Sequence, residues 1–320
     1  MTSPAQRSPS LVATAEGSHS DSFHALDWML LALAGGVWGS SFYFIAVALE
    51  SFQPMLITWL RMVFGFATLT CIPGARRRIE RQDWPRVALI GLVWMAFPLS
   101  MFPLAEQRVS SSVAGMLNGA TPIFVAVVAT VLLRRLPGLR QRLGLLLGTI
   151  GIALIGWPSL RDGSNSAVGV AMILIALCSY GLAINLVVPL QQKYGALPVL
   201  WRAAGVAAAL LTPFGVAAVP ASSFSWHALA ANAALGVLGS AVAFVAAGTL
   251  VGRVGSTRGS TTIYIVPVVA LFLGAAVRDE SVAPMSVFGC VAVLLGAFVA
   301  SRSERPGVRA DHANEQWQNN

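Results

Sequence analysis

The sequence predicts an all-α membrane protein of ten transmembrane helices arranged as two inverted five-helix repeats. Composition, the placement of basic residues and an internal repeat carry this reading. Of 320 residues, 56% are hydrophobic and 30 are Gly, while only 11% are charged, where a soluble chain carries about 25%. That polar complement is too small to cover the surface of a water-soluble domain, which excludes a cytosolic enzyme with its own aqueous core. Between two polar tails, 1–26 and 302–320, the chain divides into units that each hold a span of roughly 20 apolar residues and a short connection.

The net charge of +8 raises nucleic-acid binding, but the basic residues are not gathered on a surface stripe. Arg76, Arg77, Arg78, Arg81 and Arg86 fall in one connection, and Arg134, Arg135, Arg140 and Arg142 in another. With the amino terminus inside, the inner segments also collect Arg7, Lys193, Arg253, Arg258, Arg302, Arg305 and Arg309. The outer ones hold Arg108, Arg161 and Arg278. Sixteen against three follows the positive-inside rule and puts both termini in the cytoplasm. An odd number of spans would break the alternation. The partners expected are therefore the lipid bilayer and a small-molecule substrate, with no nucleic acid. Cys71, Cys178 and Cys290 lie in or beside apolar runs without metal-ligand spacing, so no cofactor or metal is called for.

The apolar runs place helices at about 27–49, 54–73, 87–105, 112–133, 143–157, 168–189, 197–218, 228–250, 257–277 and 284–301. In the first, Trp38 and Ser41 share a face three residues apart. In the second, Arg61 sits about 10 Å along the axis, deep enough to cost at least ~2.5–3.5 kcal/mol unless it is partnered. It is read either as a cavity-lining cation for an anionic substrate group or as an arginine held by backbone carbonyls or snorkelling outward between headgroups. The third helix ends near Glu106, a rim carboxylate; since no Asp, Glu or His lies mid-span, proton coupling either uses such a rim residue, with Glu106 the candidate proton site, or is absent, and the balance leans toward a facilitator or exchanger. The fourth and ninth carry Pro122 and Pro267 mid-helix as kinks. Each removes the amide that would bond the carbonyl four residues earlier, at Asn118 and Ile263, and exposes Asn118, Thr121 and Tyr264 to a polar pathway. In the sixth, Tyr180 and Asn185 are candidate cavity walls, with Gly181 on the face of Asn185. Arg202, near the end of the seventh, is read as snorkelling. Gly144, Gly148 and Gly151 in the fifth helix, and Gly289 and Gly296 in the tenth, are read as packing stripes.

A shift of 145 positions aligns Val109 with Val254, Ser111 with Ser256, Pro122 with Pro267, Gly144 with Gly289 and Gly151 with Gly296. The repeats are thus 27–158 and 167–301, and an odd helix number in each turns the second upside down. The same alignment sets Arg134 and Arg135 against Asp279 and Glu280. A change of sign is what equivalent connections on opposite membrane faces would show.

Trp38-Gly39-Ser40-Ser41, Arg61, "SSVAGMLNGATPIFVAV" and "GSTTIYIVPVVALFLGAAVRDE", followed by Gly289 and Gly296, together resemble the EamA-type transporters of the drug/metabolite transporter superfamily. The resemblance spans both repeats. It implies a ten-helix inner-membrane carrier of small metabolites, often amino acids or related compounds, frequently moved outward. Arg135 departs from the family pattern, which often has an acidic residue there as well as after the ninth helix.

Three function classes follow from the residues. A secondary transporter working by alternating access needs a polar cavity between the halves. A channel-like facilitator needs a continuous polar lining. An intramembrane enzyme needs a nucleophile and base, or a metal set, deep in the bilayer, and Ser40 and Ser41 have no histidine partner. The carrier is the reading preferred, with Trp38, Ser41, Arg61, Asn118, Thr121, Tyr180, Asn185 and Tyr264 as substrate-binding candidates, and with monomer and homodimer both open.

Overall fold

The computed structural model describes residues 24–133, 138–161, 163–254 and 259–301, and within them every regular element is helical. Seven stretches are long and apolar enough to cross a membrane: Ala25–Leu49, Arg81–Glu106, Ser111–Leu132, Leu139–Ser159, Ser166–Tyr194, Ala196–Ala221 and Trp226–Val254. Three shorter apolar helices, Pro54–Thr70, Thr262–Val277 and Pro284–Val299, accompany them. Most of both expected tails, and the connection residues Arg134, Arg135, Ser256 and Arg258, lie outside the described residues.

Several stretches are composite. The first two are continuous helices, α1 (Ala25–Leu49) and α2 (Pro54–Thr70). The third joins α3 (Trp84–Ile90) through a π-helical segment, Gly91–Ala96, to α4 (Phe97–Glu106). The fourth breaks into α5 (Ser111–Asn118) and α6 (Thr121–Leu133). Next come α7 (Leu139–Arg161), α8 (Ser164–Tyr194) and α9 (Ala196–Ala218). The eighth stretch joins α10 (Trp226–Ala234) through a second π segment, Leu235–Val242, to α11 (Ala243–Val254). In the ninth, a 3-10 segment, Ser260–Ile265, runs into α12 (Val266–Val277), and α13 (Pro284–Ser301) is last. Helices α7 and α8 are longer than their apolar runs, because polar end turns continue the helix beyond them.

The interruptions recur at close to the spacing that aligns the sequence with itself, and their packing exchanges partners in the same way. The first π segment lies on α9, where a β carbon on Gly91 would fall 2.7 Å from the Ala203 carbonyl oxygen. The second lies on α2, where one on Gly236 would fall 2.9 Å from the Arg61 carbonyl oxygen. A π turn opens the main-chain ladder to side chains. Val93 O accepts from Ser179 Oγ of α8 at 2.6 Å, and Gly239 O from Trp38 Nε1 of α1 at 3.1 Å.

The two proline positions mark changes in the helix: at Pro122 a turn at Gly119 and Ala120 separates α5 from α6, and at Pro267 the 3-10 segment passes directly into α12. Pro122 and Pro267 each occupy the second position of a new segment, α6 and α12. The carbonyl freed at Asn118 accepts from Thr121 Oγ1 at 2.7 Å. That freed at Ile263 accepts from the Val266 amide through the tighter 3-10 turn. Both solutions keep the acceptor satisfied inside protein, as hydrocarbon surroundings require.

Contacts between connections define two ends of the bundle. At one, Gln53 bonds Ala221 and Ser222, the Ser223 amide donates to Ser51 O, and Arg278 pairs with Glu50 at 3.0 Å. At the other, Arg253 pairs with Asp27 at 2.7 Å, and Asp83 takes both Lys193 Nζ and Tyr194 Oη. Arg202 is also held there, by the Ala75 and Pro198 carbonyls and over the rings of Trp84 and Trp201, an anchoring of the snorkelling kind.

The glycines of α7 and α13 bring two backbones into contact. A β carbon on Gly296 would lie 2.4 Å from Gly148 N and 2.6 Å from Gly144 O, and one on Gly151 2.6 Å from Gly289 O. The obstructing atoms are main chain and cannot rotate away. Gly296→Val should therefore lower stability by about 1–3 kcal/mol, the usual cost of overpacking, read as a lower melting temperature in detergent. An unchanged melting curve would mean that the two helices do not pack this way.

Candidate functional site

The second π segment organises the interior. Its Ser240 accepts a 2.7 Å hydrogen bond from Arg61 Nε, while neighbouring Gly239 bonds Trp38 through its carbonyl. Gly239 also leaves the room that the guanidinium occupies: a β carbon there would meet Arg61 Nη2 at 3.1 Å and Ser41 Oγ at 3.2 Å. Arg61 is only 3% exposed. No carboxylate lies within ion-pair distance of it among the described residues, and neither Nη1 nor Nη2 has a protein acceptor among them.

Those free donors belong to a residue that lines a central cavity. Six of the residues singled out from sequence line it together: Trp38, Ser41, Arg61, Asn118, Thr121 and Tyr180. They come from α1, α2, the α5–α6 break and α8. The α5–α6 break therefore presents Asn118 to the same space that receives the guanidinium. Ser41 Oγ meanwhile bonds back to Val37 O within its own helix at 3.1 Å.

Aromatic rings close the remainder. Phe244 meets Trp38 and Trp94 edge-on, with centroids 5.2 and 5.1 Å apart. Phe102 stacks on Tyr180 at 5.9 Å and meets Phe42 edge-on. Such contacts fix the rings in place. No Asp, Glu or His lines the cavity among the described residues. The site thus offers cationic and neutral donors against flat apolar walls.

Three candidates lie elsewhere. Asn185 is fully buried away from the cavity, where its Nδ2 donates to Val125 O of α6 at 3.1 Å and to Gly181 O at 2.8 Å. Gly181 sits against the backbone of Phe124, so that polar stripe joins α8 to α6. Tyr264 packs against the core next to Ile263, which does line the cavity. Glu106 ends α4 as expected, but its carboxylate oxygens are buried and not on an open rim.

Sequence reasoning missed Trp94, Phe102, Phe244, Gly239 and Ser240. Trp94 and the two phenylalanines sit in apolar runs where any large side chain reads as packing. Gly91 and Gly236, which mark the two π segments and themselves align at the 145-residue shift, were the available signal.

The sequence profile of the EamA-like transporter family matches residues 26–157 and again 167–302, so both halves are accounted for. The chain is a member of the EamA-like transporter family. Its relatives agree. An uncharacterized transporter of Archaeoglobus fulgidus is 22% identical over 86% of this chain and 98% of its own length. The uncharacterized inner membrane transporter YedA of Escherichia coli is 28% identical, over 82% and 89%. A probable terminal-alkyne amino-acid exporter of Streptantibioticus cattleyicolor is 26% identical, over 85% and 92%. A crystal structure with 17% identity superposes with a TM-score of 0.62 over 86% of this chain and 95% of the other, a likeness of fold.

In this EamA-family chain a second polar centre ties the late residues to the early ones. Glu280 Oε1 accepts from the Ser111 amide at 3.1 Å and its hydroxyl at 2.6 Å. Oε2 accepts from the Ser112 amide and hydroxyl at 2.9 and 2.6 Å. With Ser110 Oγ taking the Val113 amide and Ser110 O the Ala114 amide, the opening amides of α5 are all satisfied. The carboxylate also faces the positive end of that helix.

Burial acts to raise the affinity of Glu280 for a proton, but the bonds from Ser111 and Ser112 prevail and hold its pKa below the usual glutamate value. A depressed folded-state value gives stability that is present above the unfolded-state pKa and is lost as pH falls through the folded one. Glu280→Ala should therefore destabilise the protein at neutral pH by on the order of 1.5–3 kcal/mol. The gap to wild type should narrow as the solution is acidified below the carboxylate range, followed by thermal unfolding at several pH values. A gap independent of pH would place the effect in packing instead.

Proposed function

We propose that this transporter is a secondary carrier for a small organic metabolite bearing an anionic group and an apolar or ring portion, amino acids and related compounds included. The observation that carries it is the buried Arg61, whose terminal nitrogens face an aromatic-walled cavity without a protein anion among the described residues. A cation in that position is costly, and a ligand carboxylate would offset the cost. The rings of Trp38, Phe102, Tyr180 and Phe244 suit a flat or hydrocarbon side group, and Asn118 with the Tyr180 hydroxyl suits further hydrogen bonds. The relative described as a probable amino-acid exporter supports the substrate class and outward flux.

Ten crossings, made of the seven long stretches and the three shorter apolar helices, as two inverted repeats fit the recurrence of the π segments and proline breaks. The cavity draws on both halves, as alternating access requires. The excess of basic residues in alternate connections puts both termini in the cytoplasm of a multi-pass inner-membrane protein. Apolar rings on several sides of the cavity favour a carrier over a channel, which needs a continuous polar lining.

Reconstituted protein, presented with a metabolite panel at equal pH on both sides of the membrane, should transport one or more small organic acids or amino acids above the level of empty vesicles. Arg61→Ala should weaken substrate affinity by at least roughly 30-fold, the ~2 kcal/mol expected on losing one partner of a buried charge pair, with membrane insertion intact. Normal flux in that variant, or no flux from wild type across the panel, would overturn the reading.

A further inference from the structure

Glu106 closes α4 at the end of the bundle where Glu280 caps α5. Both its carboxylate oxygens are buried, and neither has a hydrogen-bond partner among the described residues. The neighbouring carboxylate is the opposite case, with two donors on each oxygen of Glu280. The charged groups that act on Glu106 come from two elements. The connection before α13 brings Glu280 and Arg278, and α2 brings Arg61. From α1, Glu50 is engaged by Arg278 at 3.0 Å. From α8, Tyr180 stacks on Phe102, one turn before Glu106. On its own side of the chain, Arg108 bonds back to Leu104 O.

Burying an ionised carboxylate without a donor costs far more than burying its neutral form. A second carboxylate nearby adds repulsion, and only the two arginines oppose this. We propose that Glu106 is a proton-binding site thermodynamically linked to the anion site at Arg61. With Glu106 neutral, the field of Arg61 is left to a ligand anion. With Glu106 ionised, carboxylate and ligand compete for that field. Proton and anion therefore favour each other's binding, and the linkage is reciprocal. The proton comes from and returns to water, and no other co-reactant is needed. This rests on the carrier reading and goes beyond it by naming a proton whose binding is linked to that of the substrate, but the proton site itself stands on Glu106 and does not require transport.

The test is infrared difference spectroscopy of the full chain in lipid nanodiscs, followed through a pH titration. A protonated carboxyl C=O band that moves in D2O and disappears with rising pH is expected in wild type. It should be absent from Glu106→Gln and displaced in Glu106→Asp, which keeps the acid on a shorter arm. Removing the cation in Arg61→Ala should carry the band to higher pH, Arg61→Lys should restore the wild-type behaviour, and removing the negative neighbour in Glu280→Gln should carry it to lower pH. A wild-type spectrum with no Glu106 band at any pH, or a band indifferent to Arg61→Ala, overturns the proposal. A Glu106 band that behaves as stated in a protein without transport activity would sink the carrier reading and leave the proton site standing.

Discussion

Main-chain groups freed from the helical ladder inside this protein have to find their partners within the protein, and that constraint shapes most of what is unusual in the fold. Continuous helices meet it without help, so the informative places are those where the helix is interrupted. At Pro122 the freed carbonyl is taken by Thr121, and at Pro267 by a 3-10 turn. In the π segments the exposed carbonyls of Val93 and Gly239 are taken by a serine and a tryptophan from other helices. Irregular backbone is tolerated at membrane depth only where it is covered in this way or lines a cavity. Here it does both, since Asn118 and Thr121 beside the α5–α6 break and Trp94 of the first π segment belong to the central site.

The same constraint explains how the site is held. Arg61 reaches the interior because Gly239 leaves room for the guanidinium and Ser240 supplies one acceptor. A continuous α-helix at 235–242 would aim these neighbours differently. The cation is fixed through one nitrogen, and its other two have no protein acceptor among the described residues. The aromatic rings contribute shape and a low dielectric, in which the charge of Arg61 carries further than it would in water.

The polar contacts at the two ends join residues far apart in sequence. Glu280 with Ser111 and Ser112, and Arg278 with Glu50, lie at one end, while Asp83 with Lys193 and Tyr194 lies at the other. The aligned counterparts of Ser111 and Glu280 are Ser256 and Arg135. In the sequence, then, the carboxylate of the second half is matched by a basic residue in the first.

The helical class, the apolar segments, the depth of Arg61 and six of the residues that meet around the cavity could be read from sequence, because burial in lipid imposes a composition so extreme that any polar exception stands out. The shift of 145 was legible for a related reason: proline and glycine are punctuation that a spanning helix keeps only where its geometry uses them. What the sequence could not disclose depends on which groups become neighbours. Whether Asn185 faces the cavity or the Val125 carbonyl is decided by the rotation of α8 against α6. Whether Trp94, Phe102 and Phe244 are packing or cavity wall is decided by the gap left between helices. Glu106 looked like an exposed end residue, and only the assembled fold closes over its carboxylate, because burial is a property of the surroundings and not of the residue.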